Sequence, residues 1–399
     1  MLQKLGIGAA GLVAAALVGW WLIGPDWRAL ALNAPSDADI LFWSEAERDA
    51  GFRMMDRLPM LIESRKVANA AAVKELPAGE PLELGLDLDA YMQSQRVSGL
   101  VILHGSKIRL ERYGLGFKGD GRWTSFSVAK SVTSTLVGAA VKDGHIASLS
   151  DPVSDYVQGL AGSAYDDVTI EQLLTMTSGV AWDEDYEDPT SDVALFSQHI
   201  SDDPAVANLV SYMRELPRAH TPGTQWNYST GETNLIGILV AEATGKTVSD
   251  YLSEKVWRPY GMEQQATWLI GSDGHEISGC CIQASTRDFA RFGQFILDGA
   301  VVDGERVVPE GWLEAATSKQ ADIGSAVDGY GYQWWTYDGE AFGARGIFGQ
   351  AIFIDPPRDL VVATNGNWTS AMGVRGREFQ ERAEFHRAVQ RAIDAETGS

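Results

Sequence analysis

Hydrophobic positions fall into three rhythms along this chain. Leu5 to Ile23 is an unbroken run of apolar residues and glycines that closes on Trp20, Trp21, Leu22 and Ile23. A run of that length spans a bilayer core as a helix, and it exceeds an ordinary signal-peptide core. Paired tryptophans suit the membrane interface, and Lys4 ahead of an acidic remainder sets the N-terminus inside. The expectation is therefore an anchor over residues 1–26, with cleavage near Ala29 or Ala31 as the alternative. Either way the rest of the chain is exported, to the periplasmic side of an inner membrane in the cell envelope.

Residues 27–84 read as a strap: one helix from Ser44 to Leu58, then the Pro/Gly-punctuated stretch from Leu76 to Pro81. A helix over 86–94 follows. Strand-like runs then take over, Gly99–His104 and Lys107–Tyr113 flanking a tight Gly105-Ser106 turn, which predicts a hairpin. Helical rhythm runs from Ser127 to Lys142 and stops at Asp143-Gly144. It recurs at Ile170–Met176, at Glu232–Ala243 before Gly245, and at Arg287–Leu297. Gly329–Tyr337 reads as one strand. Ala351–Asp355 and Leu360–Thr364 make a second hairpin around residues 356–359, and Phe379–Ala395 is an amphipathic terminal helix. Strands cluster at both ends of residues 85–399 and helices lie between. That order predicts an α/β (α+β) domain in which an antiparallel sheet is flanked by helices, with a mostly helical insertion at about 140–280.

Composition removes some functions. A net charge of −22 over 399 residues, without Lys/Arg clusters, excludes a nucleic-acid partner. The two cysteines, Cys280 and Cys281, are sequence neighbours. A trans peptide spaces their Cα atoms about 3.8 Å apart, closer than an ordinary disulfide wants. They read as small buried hydrophobes and not as a redox pair. No zinc-binding spacing exists, and no cofactor is expected.

Candidate chemistry narrows quickly. No serine sits in a Gly-x-Ser-x-Gly elbow, and His275-Glu276 is not followed by the residues of a zinc helix. Gly245-Lys246-Thr247 lacks the first glycine of a phosphate loop and reads as a helix end. Ser127 is the only serine with lysine three residues later. It opens a long apolar helix, where backbone N–H groups are free and negative charge is favoured. The spacing puts Lys130 on the same face, and desolvation there lowers its pKa so that it can act as a base. An N-cap serine with an outward lysine is the bland alternative. Gly223–Thr230 is a loop that turns into a helix and carries Tyr228, and Gly343–Gln350 leads glycines into a strand where a ligand can approach the backbone.

Ser-x-x-Lys, then Tyr228-Ser229-Thr230, then a glycine-containing triplet entering a strand resembles the serine β-lactamase and penicillin-binding superfamily, in its class C and esterase branch. The resemblance runs from about Val97 to Ala395 and includes Leu173–Gly179, Pro222–Ser229, Pro259–Met262 and Arg287–Gly293. Asp185–Pro189 and Gly346–Gln350 are similar to segments of the 6-aminohexanoate-dimer hydrolases, which cleave linear amides and simple esters. The resemblance implies an acyl-enzyme on Ser127, with Lys130 as base directly or through Tyr228. It implies an oxyanion held by the N–H groups of Ser127 and Ile347, beside Gly346. Tyr228 would protonate the leaving group, and Tyr186 would bond the leaving nitrogen or cover the substrate as a lid. Trp182, Trp226, Trp334 and Trp335 are candidates for an acyl pocket, although for each taken alone core packing is the favoured reading. Two departures stand out. Ala344-Arg345-Gly346 replaces Lys-Thr-Gly, so the substrate-facing cation is missing or moved, with Arg345 as a candidate to restore the charge, and Thr230 replaces the asparagine of Tyr-x-Asn. The partner implied is a small-molecule ester or amide. The alternatives are a β-lactamase or D,D-peptidase, and a non-catalytic envelope binding protein.

Overall fold

A computed structural model describes residues 16–58, 62–374 and 376–398. The two predicted hairpins are present and lie side by side. Strands β1 (Glu63–Val67), β2 (Val97–His104), β3 (Lys107–Tyr113), β4 (Trp123–Thr124), β5 (Ala266–Ile270) and β6 (Ile282–Ala284) precede the short β7 (Val301–Val302) and β8 (Glu305–Arg306). Then come β9 (Gly329–Tyr330), β10 (Trp335–Thr336), β11 (Phe342–Arg345), β12 (Ala351–Asp355) and β13 (Leu360–Gly366). The main sheet has the order β3-β2-β13-β12-β11-β10-β9 and is antiparallel throughout. The N-terminal hairpin thus joins the C-terminal strands through β2 and β13, with Val101 opposite Ala363.

Four long helices organise the rest: α1 (Val128–Lys142), α2 (Thr230–Thr244), α3 (Thr286–Leu297) and α4 (Glu378–Thr397). Period-two alternation explains why β2 and β13 are buried on both faces. Val101, Leu103, Val361 and Ala363 pack in the cluster that holds Phe289 and Phe292 of α3. Leu100, Ile102, Leu360 and Val362 pack instead with Phe385, Val389 and Ile393 of α4. Helices α1 and α2 form the helical part, and α1 is buried from Val128 to Ala140. So apolar a helix needs no amphipathic face, because it lies at the centre of the domain.

The strap is built into the body. Strand β1 pairs with β5 in a second sheet of order β1-β5-β6-β4. Trp43, Phe52 and Met55 are buried against Trp123, Phe126 and Phe348. The helix expected over Ser44–Leu58 spans only Glu45–Gly51, capped by a reciprocal Ser44–Glu47 box. It ends because Phe52 turns inwards, its ring 4.9 Å from Phe126 and 5.5 Å from Phe348. Gly329–Tyr337 is likewise not one strand. It is the β9–β10 hairpin, broken at the left-handed Gln333, whose buried side-chain amide bonds Leu173 O and Leu174 O. Tertiary hydrogen bonds override the local strand propensity there.

The apolar run Leu5–Ile23 lies mostly outside the described residues, of which 16–22 are helical. Among the described residues no helix is long and apolar enough to cross a membrane.

Candidate active site

Ser127 stands at a sharp passage from β4 into α1. Phe126 just before it has φ +41°, a left-handed conformation that costs a bulky residue about 1–3 kcal/mol. Packing against Phe52 and Phe348 holds it there. The passage is tied to β6 by Ser125 N–H donating to Ile282 O (2.8 Å) and by Ile282 N–H donating to Ser125 Oγ (2.9 Å). The result is a serine at a helix start, 8 % exposed, facing a cavity of about 880 Å³.

Lys130, one turn into α1, is 1 % exposed. Its Nζ donates to Thr230 Oγ1 (2.8 Å) and Gly279 O (3.0 Å) and lies 5.2 Å from the centre of the Tyr228 ring. Burial lowers its pKa to about 8, against the opposing pull of Glu184. Burial together with the Glu184 charge raises the pKa of Tyr228 far above the usual value, against the opposing pull of the Ser127 hydroxyl. Serine, lysine and tyrosine therefore meet as the spacing suggested. The lysine gives up its proton near neutral pH, and the tyrosine remains a phenol.

Gly346 closes the other side. A Cβ there would stand 2.6 Å from Ser125 O and 3.0 Å from Ser127 N, so only glycine lets the end of β11 lie flush against the Ser127 backbone. Ile347 follows into the cavity wall. Gln350 fixes this corner: its buried amide donates to Ile347 O and Gly366 O (3.0 Å each) and accepts from Gly366 N–H.

Tyr186 lines the cavity, and its hydroxyl donates to Glu184 Oε1 (2.6 Å). Glu184 is the residue that sequence reasoning missed. It also accepts from Thr230 N–H (2.9 Å), the Thr230 hydroxyl and the Trp182 indole N–H. The segment Asp183-Glu-Asp-Tyr-Glu-Asp188 has no periodicity, and one carboxylate among five carries no signal of its own.

Several expectations need correction. None of the four tryptophans is on the cavity wall. Trp334 is core, stacked on Phe292. Trp182 is buried and serves Glu184. Trp226 and Trp335 back up Tyr228, with Trp335 stacked on it at 5.6 Å. Arg345 is also away from the wall. Its Nε donates to the Tyr337 hydroxyl (2.7 Å), and its guanidinium lies over Trp335 and Tyr337 (4.7 Å each) and Phe379 (5.0 Å). Cys280 and Cys281 both line the cavity, and Cys281 is buried. The strap supplies Asp37 to Leu41 to the same wall.

A family model described as beta-lactamase matches residues 87–386. A 6-aminohexanoate-dimer hydrolase from Paenarthrobacter ureafaciens is 30% identical over 346 residues, which cover 82% of this chain and 87% of that protein. Among solved structures, a Bacillus anthracis protein provisionally assigned as a 6-aminohexanoate-dimer hydrolase has a TM-score of 0.77 at 21% identity, covering 91% of this chain and 99% of its own. EstCE1, a hydrolase with promiscuous acyltransferase activity, has a TM-score of 0.60 at 12% identity, covering 76% and 96%.

Proposed function

This chain belongs to the beta-lactamase family and is a serine hydrolase, and on that footing we propose that it forms an acyl-enzyme on Ser127 and cleaves ester or linear amide bonds of small acyl substrates. The observation that carries this reading is Ser127 at the helix start on the cavity wall, one turn before a buried lysine whose Nζ lies 5.2 Å from the Tyr228 ring and whose pKa burial lowers. Neutral Lys130 takes the Ser127 proton, directly or across the Tyr228 hydroxyl, as Ser127 Oγ attacks the carbonyl. The developing oxyanion lies between the N–H groups of Ser127 and Ile347, which are already oriented before reaction. Tyr228, still protonated, gives its hydrogen to the leaving nitrogen or oxygen and recovers one from Lys130. Water then attacks the acyl-enzyme by the reverse of the same proton path.

An amide substrate has two supports. The Paenarthrobacter relative is named for a linear amide. The Tyr186 hydrogen is committed to Glu184, which leaves oxygen lone pairs to accept an amide N–H. A β-lactam or cell-wall peptide substrate is disfavoured, since Ala344 stands at the position of the family's lysine and the neighbouring Arg345 is turned into an aromatic cage.

For location, we favour the cell envelope with an N-terminal membrane anchor. Leu17, Val18, Trp21 and Leu22, the described end of the apolar run, are all more than half exposed, which suits a lipid neighbour. The functional test is hydrolysis of p-nitrophenyl acetate, p-nitrophenyl butyrate and the linear 6-aminohexanoate dimer by wild type and Ser127→Ala. Turnover that falls at least ~10³-fold in the variant is expected. Equal rates in the two proteins would sink the reading.

A further inference from the structure

Thr230 occupies the position where the family's pattern has an asparagine amide, and its hydroxyl makes a connection an amide makes differently. Lys130 Nζ donates to Thr230 Oγ1 (2.8 Å), so the single hydroxyl proton is free to point elsewhere. It points at Glu184 Oε1. The same carboxylate receives Thr230 N–H, the Tyr186 hydroxyl and the Trp182 indole N–H. Four donors converge on it, and among the described residues no lysine or arginine forms an ion pair with it. The nearest cation along the hydrogen bonds is Lys130, one hydroxyl away.

We propose that Glu184 is a positioning residue that orients and charge-balances Lys130 through the Thr230 hydroxyl, and thereby sets the pH at which Ser127 becomes nucleophilic. The proposal rests on Ser127 and Lys130 acting as nucleophile and base. With Glu184 ionised, the ammonium form of Lys130 is held by Thr230 and Gly279 O, with its third hydrogen left for the serine side. When Lys130 gives up a proton, the amine keeps two donors for those same partners, and its lone pair faces Ser127. Glu184 therefore fixes the direction of the lone pair as well as the charge.

The other ionisable groups nearby leave this assignment intact. Tyr228, Tyr186 and Tyr330 are all pushed up by burial and by the Glu184 charge, so they stay neutral. Arg345 acts on Tyr228 from behind Trp335. Glu276, on the loop that carries Gly279, is paired with Arg65 (2.7 Å). Glu232 on α2 is the one competitor: burial raises it to about 8, and it faces Ser178 and Tyr165 on the side away from the cavity. It supplies the control.

The experiment follows the rate at which a fluorophosphonate modifies Ser127 from pH 5 to pH 10, by intact mass on the full chain. Wild type is compared with Ser127→Ala, Glu184→Gln, Thr230→Val, Thr230→Ser and Glu232→Gln, each checked for a cooperative melt. Removing the Glu184 charge lowers the Lys130 pKa, so the acid limb of Glu184→Gln should move down by about one unit or more while its plateau falls about tenfold. Thr230→Val should move the limb the same way, and Thr230→Ser should restore the wild-type profile. A Glu184→Gln plateau that drops with the limb unmoved would mean a merely structural role and overturn the proposal. So would a limb that follows Glu232→Gln instead. Should Glu184→Gln fail to fold, the Thr230→Val and Thr230→Ser pair decides by the same limb. Wild type that melts cooperatively but is never modified at Ser127 would overturn the proposed function along with this inference. Ser127-dependent labelling with an unmoved limb would overturn this inference alone.

Discussion

At the scale of single residues, Lys130 works against the stability of the core it occupies. Burial lowers its pKa from 10.5 to about 8, so the folded chain binds fewer protons than the unfolded chain between those values. Stability accordingly rises with pH through that window, and below pH 8 the fold carries the cost of a buried ammonium. Lys130→Met should abolish Ser127 acylation and yet raise the melting temperature at pH 7. The gain should be roughly 1–2 kcal/mol, because part of the relief is lost when Gly279 O gives up its donor. It should largely fade by pH 10.5, where the wild-type amine is neutral in the folded state and half neutral in the unfolded one. Calorimetry at pH 7 and pH 10.5 checks this; a gain that is equal at both would refute the ionisation argument. The sequence made this residue legible, because an apolar helix with one lysine a turn after its first serine is an unusual pattern. Glu184 was not legible. Its meaning comes from four donors on separate segments, and no spacing along the chain encodes that.

At the scale of elements, the close fit of β11 against the passage from β4 into α1 decides the reactivity of Ser127. Gly346 has an ordinary extended backbone, φ −126° and ψ 156°, so glycine is needed there for space and not for conformation. Gly346→Ala puts a methyl against Ser125 O and Ser127 N and must push Ile347 away from Ser127. The two N–H groups proposed to hold the oxyanion sit on different elements and lose their common focus. The value of kcat should fall ~10²–10³-fold with a small change in KM, since ground-state binding depends little on that focus. A KM effect alone would place the substrate carbonyl elsewhere. The hairpins on either side of this corner were legible because period-two runs and turn residues are local. The β9–β10 break was not, since Gln333 takes its conformation from the carbonyls of Leu173 and Leu174. The helix end at Gly51 was hidden for the same kind of reason: the pull on Phe52 comes from Phe126 and Phe348.

Over the whole molecule, the strap makes folding and catalysis one cooperative matter. Arg48, on the strap helix, donates to Asn367 Oδ1 (2.7 Å), Trp43 O (2.7 Å) and Trp368 O (3.2 Å), and stacks on Phe348. Those bonds join the strap to the end of β13, and Phe52 then fills the space beneath both sides of the active site. Phe126 and Phe348 are each left-handed, at φ +41° and +58°, and both rings rest on Phe52. Removing that ring leaves a cavity under two strained residues. Phe52→Ala should therefore cost about 3–5 kcal/mol of stability, the usual range for emptying a buried phenylalanine site. Its effect on activity should exceed what the unfolded fraction explains. With nothing to hold them, Phe126 and Phe348 can relax towards ordinary backbone angles, and Ser127 and Ile347 move with them. Phe52→Leu, which keeps most of the volume, should recover most of the activity. Measured well below either variant's melting temperature, a Phe52→Ala rate equal to wild type would show that the strap supports the fold without aligning the site. A rate lowered tenfold or more in a fully folded protein would show that the strap is part of the catalytic scaffold.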